Sequence, residues 1–286
     1  MKIMHAMNVD QPRNRIAILI CYFGSLPWYF HYFIHTCKFN PEVDFYIITD
    51  DESWTNKLPS NVKMIRKNIE AMNQLATKRL GFSTDIREGY KLCDFKPTYG
   101  LLFPEIVEGY DFWGHGDIDV IFGDIRYFMT DELLDNYELI NVRHDFISGY
   151  FLLFRNNEKM NTLFMRSNDY KKVLSSPVHY CFDETNFQHN DFANILTYPE
   201  RKHEVDSMMH LIRRLENNKE LKTYFDFHVI EGLPGRLKWD KGKLFYKNTY
   251  EVMLYHMILF KSVCKLKQIP EFIPETFTIS PTKIYH

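Results

Sequence analysis

The apolar and polar positions fall into blocks that alternate between two periods. RIAILICYFG, residues 15–24, is a short apolar run closed by glycine and predicts a buried strand. LPWYFHYFIHTCKFN follows, with Pro27 placed where a first helical turn accepts it. VDFYIITDD is a second strand ending in two acids, and NVKMIRKN a third. IEAMNQLATKRLG reads as a helix stopped by Gly81. YKLCDFKPTYGLLFPEIVEGY reads as mostly helical, with Pro97 near a start and Gly109 near the end. YDFWGHGDIDVIFG is a strand with acids at its tip, and Thr130 caps a helix in TDELLDNYE. ELINVR and SGYFLLFRN are further strands, and NEKMNTLFMRSNDYKKVL is an amphipathic helix. FANIL and HEVDSMMHLIRRLENN read as helical on either side of Pro199; the basic residues 201–214 form a solvated face. RLKWDKGKLFY is a hairpin turning at Asp240-Lys241-Gly242, and YEVMLYHMILFK an apolar segment near the C-terminus.

Strands alternating with helices predict one α/β domain with a central, mostly parallel sheet. Residues 1–14 form a mobile tail, 15–262 the domain, and 263–286, with Pro270, Pro274 and Pro281, a C-terminal tail without a regular element. In such sheets ligands bind beyond the carboxyl ends of the strands. Residues Cys21 to Ser25 and Asp50 with Asp51 therefore belong to one crevice.

The chain has 286 residues, enough for a sizeable core. Aromatic residues make up 16% of it, which predicts an aromatic-lined cleft. The formal net charge of −2 gives no electrostatic footprint for nucleic acid. No apolar run reaches the roughly 18 residues of a membrane span. The five cysteines are scattered, without a CxxC pair, and fit a reduced, cytoplasmic protein.

Within GHGDIDVIFGDI, residues 114–125, Asp117 and Asp119 stand where a strand would carry valine. In extended backbone i and i+2 share a side, so both carboxylates face one point. Like charges so placed need a cation between them. A hard divalent ion, Mg²⁺ or Mn²⁺, takes such oxygens and leaves positions for phosphate. Gly114, Gly116 and Gly123 let the backbone turn and a ligand approach. A turn with exposed acids is the alternative.

FWGHGDIDVIFGDI resembles the DXD element of glycosyltransferases with the GT-A fold, nearest to the bacterial polysaccharide-type, GT8- or GT32-like branches. AILICYFG and FYIITDD resemble the nucleotide-binding strands of that fold. KLCDFKPTYGLLFPE resembles the helix before the DXD strand, ISGYFLLFRNNEKM the strand and helix after it, and CFDETNF an acidic loop beside the donor sugar. The resemblance covers about residues 15–262 and implies a hexosyltransferase with residues 15–130 as nucleotide-binding half and 131–262 as acceptor half. It implies a nucleotide-diphosphate-sugar donor, with a UDP-sugar favoured, bound through Mn²⁺ or Mg²⁺, and a glycan or lipid-linked glycan acceptor. Family analogy also implies surface-polysaccharide assembly in the cytoplasm, with peripheral contact at the inner face of the membrane.

The GT8-like late segment HYxGxxKPW has its nearest match in YHMILFKSV. His256 and Lys261 keep the interval, while the glycine and the Pro-Trp are missing. His256 is thus the candidate third metal ligand, or a core histidine, and Lys261 a diphosphate contact. Lys96 and Asp94 are candidates for phosphate or sugar hydroxyls, Asp50 for the base, and Tyr22 and Phe23 for stacking on it. His144 and Asp145 are acceptor-side candidates. Asp183 and Glu184 are the candidate catalytic carboxylates, one of them a base if the reaction inverts; a retaining reaction needs none. Two other functions remain: a non-catalytic nucleotide- or sugar-binding protein, and a phosphohydrolase, since DIDVI superficially matches an aspartyl-phosphate motif.

Overall fold

The computed structural model describes residues 13–193, 203–265, 267 and 271–286. Residues 1–12, Pro199, the end of FANIL and Pro270 lie outside them. Fifteen strands are described: β1 Ile16–Cys21, β2 Val43–Thr49, β3 Val62–Arg66, β4 Phe112–Gly116, β5 Val120–Phe122, β6 Leu139–Asn141, β7 Phe151–Arg155, β8 Thr223–Phe225, β9 Val229–Glu231, β10 Leu237–Asp240, β11 Lys243–Tyr246, β12 Tyr250–Val252, β13 Leu254–His256, β14 Thr276–Ile279 and β15 Ile284–Tyr285.

The central sheet has the order β3-β2-β1-β4-β7-β6-β8. β7 alone runs against its neighbours; the other pairs are parallel. The expected mostly parallel α/β sheet is what the chain forms. β1 is apolar throughout because both its faces are covered: Ala17 and Leu19 join one core cluster, Ile16, Ile18 and Ile20 the other. The helix Ile69–Leu80 forms where the sequence placed it, closed by Gly81 at φ 76°, whereas the first helix, Phe30–Lys38, starts later than expected, with Pro27 in the turn before its cap Tyr29 rather than in its first turn.

Four expectations need correction. Residues 89–107 form a 3₁₀ segment, Gly89–Thr98, then two short α-turns, Tyr99–Leu102 and Pro104–Val107, because two prolines remove backbone donors. Residues 158–175 are three short pieces rather than one helix. Ser167, Asn168 and Asp169 bond instead to Asp206, which competes with helical bonding. The C-terminal segment also carries regular structure. β14 pairs with β10, and Phe277 stacks on Trp239 at 5.0 Å and 17° in a third core cluster. At the other end, Arg13 and Asn14 are not loose: Asn14 donates to Asp131 and Asp135.

Phe277→Ala should therefore cost about 3–5 kcal/mol in urea unfolding. A loss below about 1 kcal/mol would show that the C-terminal strands are an appendage.

Candidate functional site

β4 lies between β1 and β7, and the chain leaves it at Asp117. Ile118 is 3% exposed and sinks into the core below the sheet edge, so the residues beside it turn up together. The pair thus converges from a bend between β4 and β5, not from extended backbone. Gly114 and Gly116 do not admit a ligand: a Cβ at Gly114 would sit 2.6 Å from the Leu152 carbonyl of β7, and one at Gly116 3.1 Å from that of Tyr150. Gly123 likewise makes room for the Val252 carbonyl.

Strand pairing delivers the third group. β13 lies between β5 and β9 and sets His256 opposite Val120 and Glu231. The Asp119 carbonyl accepts a bond from the Met257 amide at 2.8 Å, which extends that ladder. Ligand atoms of Asp117, Asp119 and His256 then lie within 4.8 Å of one another. His256 Nδ1 is 3.0 Å from Glu231 Oε1, which fixes the ring and turns Nε2 toward Asp119 at 3.6 Å.

Each aspartate has its own lysine. Lys96 Nζ donates to Asp117 at 2.7 Å and to the Gly149 carbonyl at 3.0 Å, and lies 3.7 Å from Asp183. Lys261 Nζ donates to Asp119 at 2.6 Å. Burial pushes the Asp117 carboxyl up, and Lys96 only partly offsets it. Asp119 would rise with burial too, but His256 and Lys261 hold it well below the usual carboxylate range.

The facing wall is the loop 179–189. Asp94 pins it from inside: fully buried, it accepts from Lys91 Nζ at 2.8 Å and from the amides of Tyr180 and Phe182 at 2.9 and 2.8 Å, and lies 3.1 Å from His179. Gly149 joins the walls, its amide donating to Glu184 at 2.5 Å. A Cβ there would meet Asp183 at 2.7 Å and Lys96 at 3.2 Å. Burial, with Glu184 and two other acids, pushes Asp183 well up despite Lys96. Glu184 goes the other way: burial would raise it, but the bond to His189 prevails and holds it at about 2. Cys181, Glu184 and His189 form a second group within ligating distance of one another.

These walls enclose a cavity of about 650 Å³ beyond the carboxyl ends of β1 and β4. A model for proteins of unknown function, DUF6625, matches residues 18–286. The chain belongs to that family. No curated protein matches it. Among solved structures it is similar to the galactosyltransferase LgtC in complex with donor and acceptor sugar analogues, at 16% identity and a TM-score of 0.34 over 63% of this chain and 70% of that one. An active-site mutant of LgtC gives 14% and 0.34 over 62% and 69%. Mouse xyloside xylosyltransferase 1, in its apo form, gives 10% and 0.46 over 85% and 98%.

The cavity brings together Tyr22, Phe23, Lys96, Asp117, Asp119, Asp183, Glu184, His256 and Lys261 from the sequence reading. Asp94 faces away from it. Asp50 and Asp51 do not line it either; they accept from the amides of Gly24 and Leu26 at 2.7 and 2.9 Å and so shape the loop after β1. Asp145 pairs with Arg143 at 2.7 Å, and His144 packs on Phe227, both outside the cavity. Sequence reasoning did not single out Gly149 and Tyr150, although they lie in the stretch 147–160 that it read as strand and helix, and it missed His189 and Glu231, which carry no spacing signal.

Asp94→Ala should destabilise by about 3–5 kcal/mol at pH 7, since it strands the buried Lys91 charge. The folded-state pKa of Asp94 is depressed: burial would raise it, but His179 and Lys91 prevail. Its contribution is therefore full above the ordinary aspartate pKa of about 3.9 and fades as pH falls through the lower folded value. Urea unfolding of wild type and variant should converge in acid; a gap independent of pH would reject the charged staple.

Proposed function

We propose that this chain is a GT-A-type, metal-dependent glycosyltransferase that moves a hexosyl group from a nucleotide-diphosphate sugar, a UDP-sugar by preference, to a hydroxyl of a glycan or lipid-linked glycan. The observation that carries this reading is the convergence of Asp117, Asp119 and His256 beyond a parallel sheet, with Lys261 bonded to one of the three. Two carboxylates and an imidazole fit Mn²⁺, and Mg²⁺ less well because of the nitrogen. A cation held by these residues would neutralise charge on a departing diphosphate. Lys261, freed from Asp119, would meet a phosphate oxygen. Tyr22 and Phe23, at the end of β1, offer rings to the base. In this reading 15–130 is the nucleotide half, 131–262 the acceptor half, and the setting is bacterial surface-polysaccharide assembly at the cytoplasmic face of a membrane. Among the described residues no helix is long and apolar enough to cross one.

The two acids of the facing wall divide the remaining work. Asp183, whose proton affinity is raised, is the better base. Glu184, held ionised, accepts hydroxyl hydrogen bonds and orients a sugar. If the reaction inverts, Asp183 takes the acceptor proton; if it retains, the leaving phosphate can.

Thermal shift with UDP and Mn²⁺ tests the metal site. Asp119→Asn should lower Mn²⁺ affinity more than about 100-fold, beyond what loss of an outer-sphere partner costs, and leave unliganded stability near wild type. Unchanged metal-dependent stabilisation by UDP would sink the reading. Nucleotide binding with no transfer from any donor would favour a binding protein instead. For an inverting enzyme, kcat should fall as pH drops through the raised Asp183 pKa, and Asp183→Asn should remove that limb together with most activity.

A further inference from the structure

The part of the cavity lined by Tyr90, His179 and Phe187 carries aromatic surface that the donor reading does not use. Tyr90 is 65% exposed and Phe187 60% exposed, yet both line the cavity. His179 lies between them, its ring 4.6 Å from Tyr90 and 5.5 Å from Phe187, edge to face with each. The platform is held rather than loose: His179 lies 3.1 Å from buried Asp94, and Phe187 is presented from φ 62°, a conformation that costs a bulky residue energy. Beside it stand Asp183 and Glu184, the latter oriented by the Gly149 amide. Tyr150, 3% exposed, also lines the cavity, but its ring lies 4.1 Å from that of His256, beside the Asp117–Asp119–His256 group rather than on this platform.

We propose that Tyr90, His179 and Phe187 form the acceptor subsite and bind a neutral pyranose ring. It rests on the donor reading for its orientation only. The charge layout decides the class of ligand. Lys261 and the Asp117–Asp119–His256 group suit an anionic diphosphate, whereas the adjoining acidic wall of Asp183 and Glu184, which shares Lys96 with Asp117, disfavours an anion beside the aromatic rings. A pyranose has an apolar C–H face that matches the negative face of an aromatic ring. Its rim of hydroxyls donates to carboxylates. A ring with both features placed against this wall satisfies the aromatic surface and the acids together.

The test uses the full chain and methyl β-galactoside, methyl β-glucoside, methyl β-xyloside and lactose as probes. Saturation-transfer NMR is run with and without UDP and Mn²⁺. The expected result is transfer to ring C–H protons of at least one probe on the wild type. Phe187→Ala and Tyr90→Ala should each weaken that binding about tenfold, the order of one lost aromatic contact, with UDP affinity unchanged. Both side chains are exposed, so thermal unfolding should match wild type. No transfer to any probe overturns the proposal, as does saccharide binding indifferent to both variants. Loss of UDP affinity in these variants also overturns it and makes the platform a base-stacking wall. If UDP and Mn²⁺ fail to bind while a saccharide does, the donor reading falls and this one stands.

Discussion

Everything at this site depends on holding the Asp117 and Asp119 carboxyls side by side, the first half-buried and the second buried. Carboxylates so close repel one another and lose hydration, and the arrangement holds only with positive charge beside them. The fold supplies it twice: Lys96 at 2.7 Å from Asp117 and Lys261 at 2.6 Å from Asp119. The two lysines differ in freedom. The Lys96 side chain is 5% exposed and tied to a backbone carbonyl, so it is a fixed part of the wall. That of Lys261 is 36% exposed, on a short turn that begins at Phe260. A ligand bringing its own cation would displace Lys261 far more readily than Lys96. The pair is thus balanced asymmetrically, and Asp119 is the carboxylate more easily released.

Much of this was legible in the sequence, and the failures have physical causes. Apolar β1 and the Gly81 stop needed only local pattern. Asp117 and Asp119 stood out because acids there conflict with burial. His256 was reached through its interval to Lys261, but its place is fixed by pairing with Val120 and Glu231, which no spacing encodes. Asp94 and Lys96 looked equivalent. They lie two apart in a 3₁₀ segment with three residues per turn, so their side chains point about 120° apart. One therefore staples the interior while the other reaches the cavity. Asp50 and Asp51 were correctly placed at a strand end, but a strand end gives position and not direction. Their oxygens turn to the amides of Gly24 and Leu26.

The sheet's single reversal explains why the two walls of the cavity can work as one. In a wholly parallel sheet the residue before a strand lies at the far edge from the residue after its neighbour. Because β7 runs against β4, Phe151 pairs with Gly116, and the start of one strand meets the end of the other. Gly149 therefore arrives beside Asp117. Its carbonyl takes Lys96, and its amide takes Glu184 from the opposite loop. A side chain at that position would press on the ends of Asp183, Glu184 and Lys96 together, so any residue but glycine must displace the acids and the lysine. The reversal joins two distant segments, the bend carrying Asp117 and Asp119 and the acidic loop, in one hydrogen-bonded surface. The two walls thus share one glycine, whose carbonyl and amide each hold one of them.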